Sequence, residues 1–344
     1  MMKRIFYTCW FLVIVLSVSV LIGGKIKPIG KRFLYQINGK GDLYTFCMVD
    51  EFKENFLVKR SANPKNNIAS SDILTLGDSF FNSSIESFKA PQELETMINK
   101  NVYNFNLYVD DVLLNPLVYF KNGLYKSSDK KVLILETVER YSVNRIKNYS
   151  NLYSVSGYST FERLRMKLFN NADMEYFFKN NVIIGPINKK IKNIRFNLFG
   201  EVDNRVTFYS ENPKMLFYNE SVAFNKSKKK QEDLILYADK MAELAKELEN
   251  KYNVELVYII IPNKFSIYYD FLDIMYSYDG FIPKFQNLLS ERGVNYVDVY
   301  SEYMNYRKHD DSNLLYYMGD THYTTLGKEM LLKSVIKKLE GMNK

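Results

Sequence analysis

Short apolar runs alternating with helical stretches constrain this chain more than any other feature. Ile73, Leu74 and Leu76 open the series, and residues 101–107, 132–136, 254–261 and 294–299 continue it. Each reads as a strand. Residues 232–251 put Leu234, Ala238, Met241, Ala245 and Leu248 on one helical face. Near the end, Leu326, Met330, Leu331, Val335 and Leu339 follow Thr324 or Thr325 as N-cap, so the spacing predicts a last helix. Strands alternating with helices predict an α/β fold with a mainly parallel sheet.

Two stretches stand outside this alternation. Residues 25–70 mix aromatics, glycine and charge, with a hairpin-like turn within 34–42 and a loop over 63–67, and read as a packing extension. Residues 141–230 are polar, aromatic and turn-rich, too long for one loop. They read as a structured insertion over the sheet, with a helical patch near 160–170. A hairpin-like pair at 206–209 and 214–218 turns across Ser210-Glu211-Asn212-Pro213. Insertions of this kind shape substrate clefts.

The chain holds 2 histidines, and one of them, His322, lies in Asp320-Thr321-His322 just ahead of the last helix. Histidine is the side chain that titrates near neutrality, so it is the usual proton carrier. An aspartate two residues away in a loop can hold one ring nitrogen and leave the other as a base. The group to activate is Ser79, in Gly77-Asp78-Ser79, where the chain turns off the end of the first strand. Reactive groups in α/β sheets sit at such carboxyl ends. Either motif alone is a common turn or cap; together they match a Ser-His-Asp site.

Here the sequence resembles the SGNH (GDSL) hydrolase superfamily. Gly77-Asp78-Ser79 and the tail Asp320-Thr321-His322-Tyr323-Thr324-Thr325-Leu326-Gly327 are similar to a subgroup marked by Asp-x-His-Trp, the alginate O-acetyltransferase-like and DHHW-type proteins. Ile261-Pro262-Asn263-Lys264 through Tyr268 is similar to its Pro-x-Lys-x-x-x-Tyr segment, and Thr137-Val138-Glu139-Arg140 to its Glu-Arg segment. The resemblance implies a flavodoxin-like sheet with helices on both faces, over a domain spanning 71–344. It implies acyl transfer through a seryl ester, with O-acetylation of a cell-surface or secreted polysaccharide as the usual task. The implied partner is a membrane-bound O-acyltransferase that passes acyl groups across the membrane. A carbohydrate acetylesterase of the same fold, or a non-catalytic scaffold that binds polysaccharide, are the alternatives.

The chain departs from that family where it needs oxyanion donors. The backbone amide of Ser79 is one expected donor. The usual second-block glycine is missing from Tyr103-Asn104-Phe105-Asn106-Leu107, and there is no Asn-Asp pair anywhere. Asn104 or Asn106 is the substitute. Tyr323 stands where the subgroup has Trp and is expected to keep an aromatic wall. Arg140 can anchor a carboxylated sugar or a neighbouring loop, or pair with Glu139. Lys264 is either a cleft-rim or an ordinary surface lysine.

The remaining features bear on location and partners. Ile5 through Gly24 carries no charge and follows Lys3-Arg4, the pattern and length of a transmembrane anchor over residues 1–24. A cleaved signal segment is the rival reading. Either places the globular part outside the cytoplasmic membrane. Cys9 lies in that run, leaving Cys47 alone in the rest, so neither a disulfide nor a cysteine metal cluster is expected there. His309, beside Asp310 and Asp311, reads as a surface turn, short of the ligands a metal needs. No cofactor is expected. The net charge of +8 is spread along the chain apart from the run Lys226 to Lys230, which reads as a solvated loop, and no nucleic-acid motif is present.

Overall fold

The computed structural model describes residues 2–25, 41–54, 67–82, 89–105, 115–121, 129–149, 184–272, 277–310 and 312–342. In chain order come α1 (Met2–Lys25), α2 (Asp42–Cys47), β1 (Ile73–Leu76), α3 (Ser79–Asn82), α4 (Ala90–Ile98), β2 (Val102–Asn104) and α5 (Pro116–Lys121). Next are β3 (Lys131–Val138), α6 (Glu139–Tyr149), α7 (Ile184–Phe199), β4 (Phe208–Glu211), β5 (Lys214–Phe217) and α8 (Asn219–Lys226). The chain ends with α9 (Gln231–Tyr252), β6 (Val254–Ile261), α10 (Lys264–Tyr268), α11 (Phe281–Glu291), β7 (Asn295–Val297), α12 (Val299–His309) and α13 (Thr325–Met342).

The chain divides into two compact units. One takes in Met1–Gly39, Met48–Asp50 and Ser156–Val202; the other holds the remainder, including every strand among the described residues. The second is an α/β unit built on a five-stranded sheet in the order β2-β1-β3-β6-β7. All its neighbouring strands run parallel. Counting only these strands, the order is 2-1-3-4-5, and the winding reverses between β1 and β3. A crevice opens at the carboxyl ends of two strands related in this way.

Side chains alternate across a strand, so each strand feeds two cores. On one face Leu74, Leu76, Leu133, Leu135, Leu256 and Tyr258 pack with Leu234, Ala238, Met241 and Leu248 of α9 and with Phe285 and Leu289 of α11. On the other, Ile73, Ile134, Val257, Ile259 and Ile261 meet Leu331, Leu332 and Val335 of α13 and Tyr303 of α12. Helices therefore cover both faces, which is why β3 and β6 read as nearly unbroken apolar runs. Ala245, expected on the buried stripe of α9, is only partly buried against that core.

Several sequence expectations change in detail. The hairpin-like turn expected within 34–42 lies outside the described residues except for Gly41 and Asp42, where helix α2 begins. The insertion is not one body. Its start is α6, which continues directly from β3, residues 156–202 belong to the other unit, and residues 203–230 return to the sheet unit. The expected helical patch at 160–170 lies outside the described residues. The hairpin is present as antiparallel β4–β5, with Phe208 opposite Phe217. The lysine run is exposed at Lys226, Lys228 and Lys230, as expected, while Lys229 is half-buried with Nζ on the Asp279 carboxylate at 2.7 Å.

In the other unit, Asn193 of α7 donates to the Met48 carbonyl at 3.2 Å and accepts from the Asp50 amide at 3.0 Å. Helix α1 presents Ile5, Phe6, Trp10, Phe11 and Val15 as exposed side chains. Side chains of α1 beyond Val15 lie outside the described residues, and among the described residues no helix is long and apolar enough to cross a membrane.

Candidate functional site

Ser79 is the first residue of α3, two residues past Gly77 at the end of β1. The turn needs glycine because a Cβ at residue 77 would lie 2.4 Å from Glu136 Oε2. That carboxyl, fully buried at the end of β3, accepts the Asp78 amide at 2.8 Å. Asp78 in turn is pinned from three sides: its carboxylate accepts from Arg145 Nη1 at 2.7 Å, from the Val138 amide at 2.9 Å and from the Phe80 amide at 3.1 Å. Burial works against the Asp78 charge, but the Arg145 guanidinium outweighs it and holds this carboxyl below its ordinary range. Burial, with the Asp78 charge alongside, pushes the Glu136 carboxyl well above its ordinary range. The middle residue of Gly-Asp-Ser is thus a buried structural anchor, and Ser79 is left exposed above it.

His322 sits in a loop closed on itself. Tyr316 and Tyr323 form an antiparallel bridge, and Thr324 donates to the Leu315 carbonyl at 2.8 Å. Thr324 Oγ1 then accepts the Gly327 amide at 3.3 Å, capping α13. At the loop tip, His322 Nδ1 lies 2.6 Å from Asp320 Oδ1, and His322 Nε2 lies 2.8 Å from Ser79 Oγ. The ionised carboxylate can only accept, so Nδ1 carries the proton and Nε2 faces the serine hydroxyl as a base. Burial disfavours a charged imidazole, yet Asp320 outweighs it and raises the His322 pKa above its ordinary value. Conversely, burial would raise Asp320, but His322 and the amides bonded to it hold it below its ordinary range. The imidazole packs on the Phe80 ring, with centroids 4.6 Å apart.

Ser79, His322 and Asp320 are therefore in hydrogen-bonded series. The other residues singled out by the sequence fall elsewhere. Asn104 accepts from Thr75 Oγ1 at 2.9 Å and donates to the Phe81 carbonyl at 3.3 Å, so its side chain ties β2 to β1 and α3. Asn106 lies outside the described residues. Tyr323 is not a cleft wall: it is fully buried, and its hydroxyl donates to the Phe80 carbonyl at 2.8 Å, beneath the turn that carries Ser79.

Arg140 donates to Asn263 Oδ1 at 3.3 Å and lies over the rings of Tyr141 and Tyr218. The Glu139 carboxyl instead accepts from the Asn263 amide and the Tyr278 hydroxyl, each at 2.9 Å, and from the Ser266 hydroxyl. Burial raises Glu139 to about 7. Lys264 is neither a rim nor a surface lysine. It is buried, with Nζ on the carbonyls of Leu216 at 2.9 Å and Met318 at 3.1 Å, and burial lowers its pKa to about 8. It binds the hairpin and the histidine loop together from below. His309 is exposed in the last turn of α12, with Nδ1 2.8 Å from the Asn305 carbonyl oxygen.

The sequence reading missed Asp42, Glu54, Glu136 and Arg145. Their signal is tertiary, since each acts on a segment distant in the chain. Asp42, Asp320 and His322 bring three metal-ligand-type atoms within 4.8 Å of one another. All four carboxylate oxygens there already accept a bond from a backbone N–H, the imidazole or the Thr321 hydroxyl, so the cluster is a hydrogen-bond network. Chemically, the arrangement can take a proton from Ser79 and return it to a leaving group. No family model, no curated protein and no solved structure matches this chain.

Proposed function

We propose that this protein is a serine-dependent acyltransferase of SGNH type, held outside the cytoplasmic membrane by its N-terminal helix. Its proposed task is to O-acetylate a cell-surface or secreted polysaccharide. The observation that carries the chemistry is the series Ser79 Oγ, His322 Nε2, His322 Nδ1, Asp320 Oδ1, with contacts of 2.8 and 2.6 Å. His322 takes the serine proton as Oγ attacks an ester carbonyl, and Asp320 stabilises the imidazolium. His322 then gives the proton to the departing alcohol, leaving an acyl-serine. In the second half His322 takes the proton of the acceptor hydroxyl as that oxygen attacks the acyl carbonyl, and gives it to Ser79 Oγ as the acyl–serine bond breaks. A base of this kind contributes about 10²–10⁴-fold.

The polysaccharide acceptor, and a membrane-bound O-acyltransferase as source of the acyl group, rest on the sequence resemblance. The anchor rests on the uncharged run Ile5 to Gly24, about the length a bilayer requires. An esterase reading has one observation in its favour: Ser79 is exposed, so water can reach an acyl group there. Turnover of p-nitrophenyl acetate by wild type and by Ser79→Ala tests the shared chemistry. Release that is equal in both proteins, or absent in both, sinks it. Adding an oligosaccharide then separates the two readings: acetylated oligosaccharide supports transfer, and acetate alone supports hydrolysis.

A further inference from the structure

The catalytic aspartate is held by a segment that lies at the far end of the chain from it. Gly41 and Asp42, where α2 begins, lie against Gly319, Asp320 and Thr321. The contact runs both ways. The Asp42 amide donates to Asp320 Oδ2 at 2.8 Å, the oxygen that His322 does not use. The Asp42 carboxylate accepts the Thr321 amide at 2.7 Å and the Thr321 hydroxyl, and it closes on its own helix through the Leu43 amide at 2.7 Å. Each residue thus fixes the other's backbone or side chain.

The surroundings leave this contact little freedom. A Cβ at Gly41 would lie 1.9 Å from the Gly319 carbonyl oxygen, so the two backbones touch only because residue 41 is glycine. Tyr44 donates its amide to that same carbonyl at 2.8 Å, and Glu54 accepts the Gly319 amide at 2.7 Å. Lys264 binds the preceding Met318 carbonyl. Met318, Gly319, Asp320 and Thr321 are therefore each held, the last three by Asp42, Tyr44 and Glu54.

We infer that Asp42 is a positioning residue of the seryl site, orienting Asp320 through its amide and Thr321 through its carboxylate so that the Asp-Thr-His turn keeps His322 on Ser79. This deepens the proposed acyl-transfer reading and rests on it. A plain structural role would make the Asp42 carboxylate matter only to folding. A positioning role makes it part of the field in which His322 works. Asp320, Asp42 and Asp78 are the carboxylates that favour the charged imidazole, Asp320 most strongly. The Asp42 carboxyl, raised by burial and then by Asp320, faces the opposing charge of His322. Lys264 faces Glu54, Asp42 and Asp320 from below.

The test is the rate at which a fluorophosphonate labels Ser79, followed against pH in the full chain. Asp42→Asn keeps the size of the side chain and removes its charge. The expected result is labelling slowed about 10-fold, with the acid limb displaced to lower pH by about one unit, as loss of a neighbouring negative charge requires. Thr321→Val removes one donor to Asp42 without touching any carboxylate, and is expected to slow labelling about 3-fold with the acid limb unmoved. A folded Asp42→Asn protein with the wild-type rate and acid limb overturns the inference. If Asp42→Asn does not fold, a wild-type rate in Thr321→Val overturns it instead. Failure of the wild type to label at Ser79 is a different outcome, which overturns the acyl-transfer reading and this inference with it.

Discussion

The two halves of the candidate site are supported in opposite ways. The Ser79 turn stands on its own neighbourhood in the sheet: Glu136 and Val138 of β3 and Arg145 of α6 hold Asp78 from directly below. The His322 loop stands on no strand of the parallel sheet among the described residues. It closes through Leu315 to Thr324, accepts the Leu216 amide of β5 at the Met318 carbonyl at 2.9 Å, and is otherwise held by Asp42, Tyr44, Glu54 and Lys264. The proposed nucleophile is fixed by an ion pair to a buried arginine, and the proposed base by a network of backbone amides and buried or half-buried carboxylates. The first arrangement ties activity to stability. The second lets the base be disturbed with the sheet intact.

Variants of the reacting groups should show the largest effects. Ser79→Ala and His322→Ala are each expected to lower kcat by about 10⁶-fold, with unchanged thermal unfolding, because the members act as a unit. Asp320→Asn is expected to cost about 10⁴-fold, since it misassigns the imidazole tautomer while keeping the shape. A mild loss in His322→Ala, measured with p-nitrophenyl acetate, would break the comparison at once by taking the base away from this loop.

The nucleophile turn should respond in stability first. Asp78→Ala removes the anion and leaves the Arg145 guanidinium buried, with 4% of its side chain exposed. The expected loss is about 3–5 kcal/mol in denaturant unfolding. A loss below about 1 kcal/mol, the range of exposed pairs, would show that the turn does not stand on that ion pair.

The pH dependence separates the two halves further. In the proposed mechanism the neutral imidazole is the working base, and the His322 pKa is raised above 6.5 by Asp320 against the effect of burial. Activity is therefore lost as pH falls through a value above 6.5, and kcat/KM against pH should show that acid limb. Glu139, the first residue of α6, gives a stability effect of its own. Its pKa is about 7 in the fold against an ordinary 4.5, so between those values the native state holds a proton that the unfolded chain has released. Stability falls as pH rises through that window. Glu139→Gln should flatten the fall, read as urea midpoints at several pH values; an unchanged slope would assign it to another group.

The same contrast explains what could be read from the sequence. The strands announce themselves because burial on both faces demands apolar runs, and β6 matches the expected 254–261 residue for residue. Ser79, Asp320 and His322 were legible because each sits at an element boundary with a recognisable local chemistry. The supports were not. Asp42 looked like part of a turn, and only a partner 278 residues away gives it a role. Lys264 reads from sequence as a cleft-rim or a surface lysine, because burial of an amine on two carbonyls leaves no local pattern. Tyr323 kept its place in the motif, but its ring turns inward to the Phe80 carbonyl.

The central claim is that Ser79 becomes covalently acylated with His322 as its base. Intact-mass measurement after brief exposure to p-nitrophenyl acetate, with peptide mapping of the adduct, tests it most directly. The account predicts one acetyl group on the peptide that contains Ser79, forming in wild type and failing to form in His322→Ala. An acetyl group on any other residue, or equal acetylation in both proteins, would contradict it.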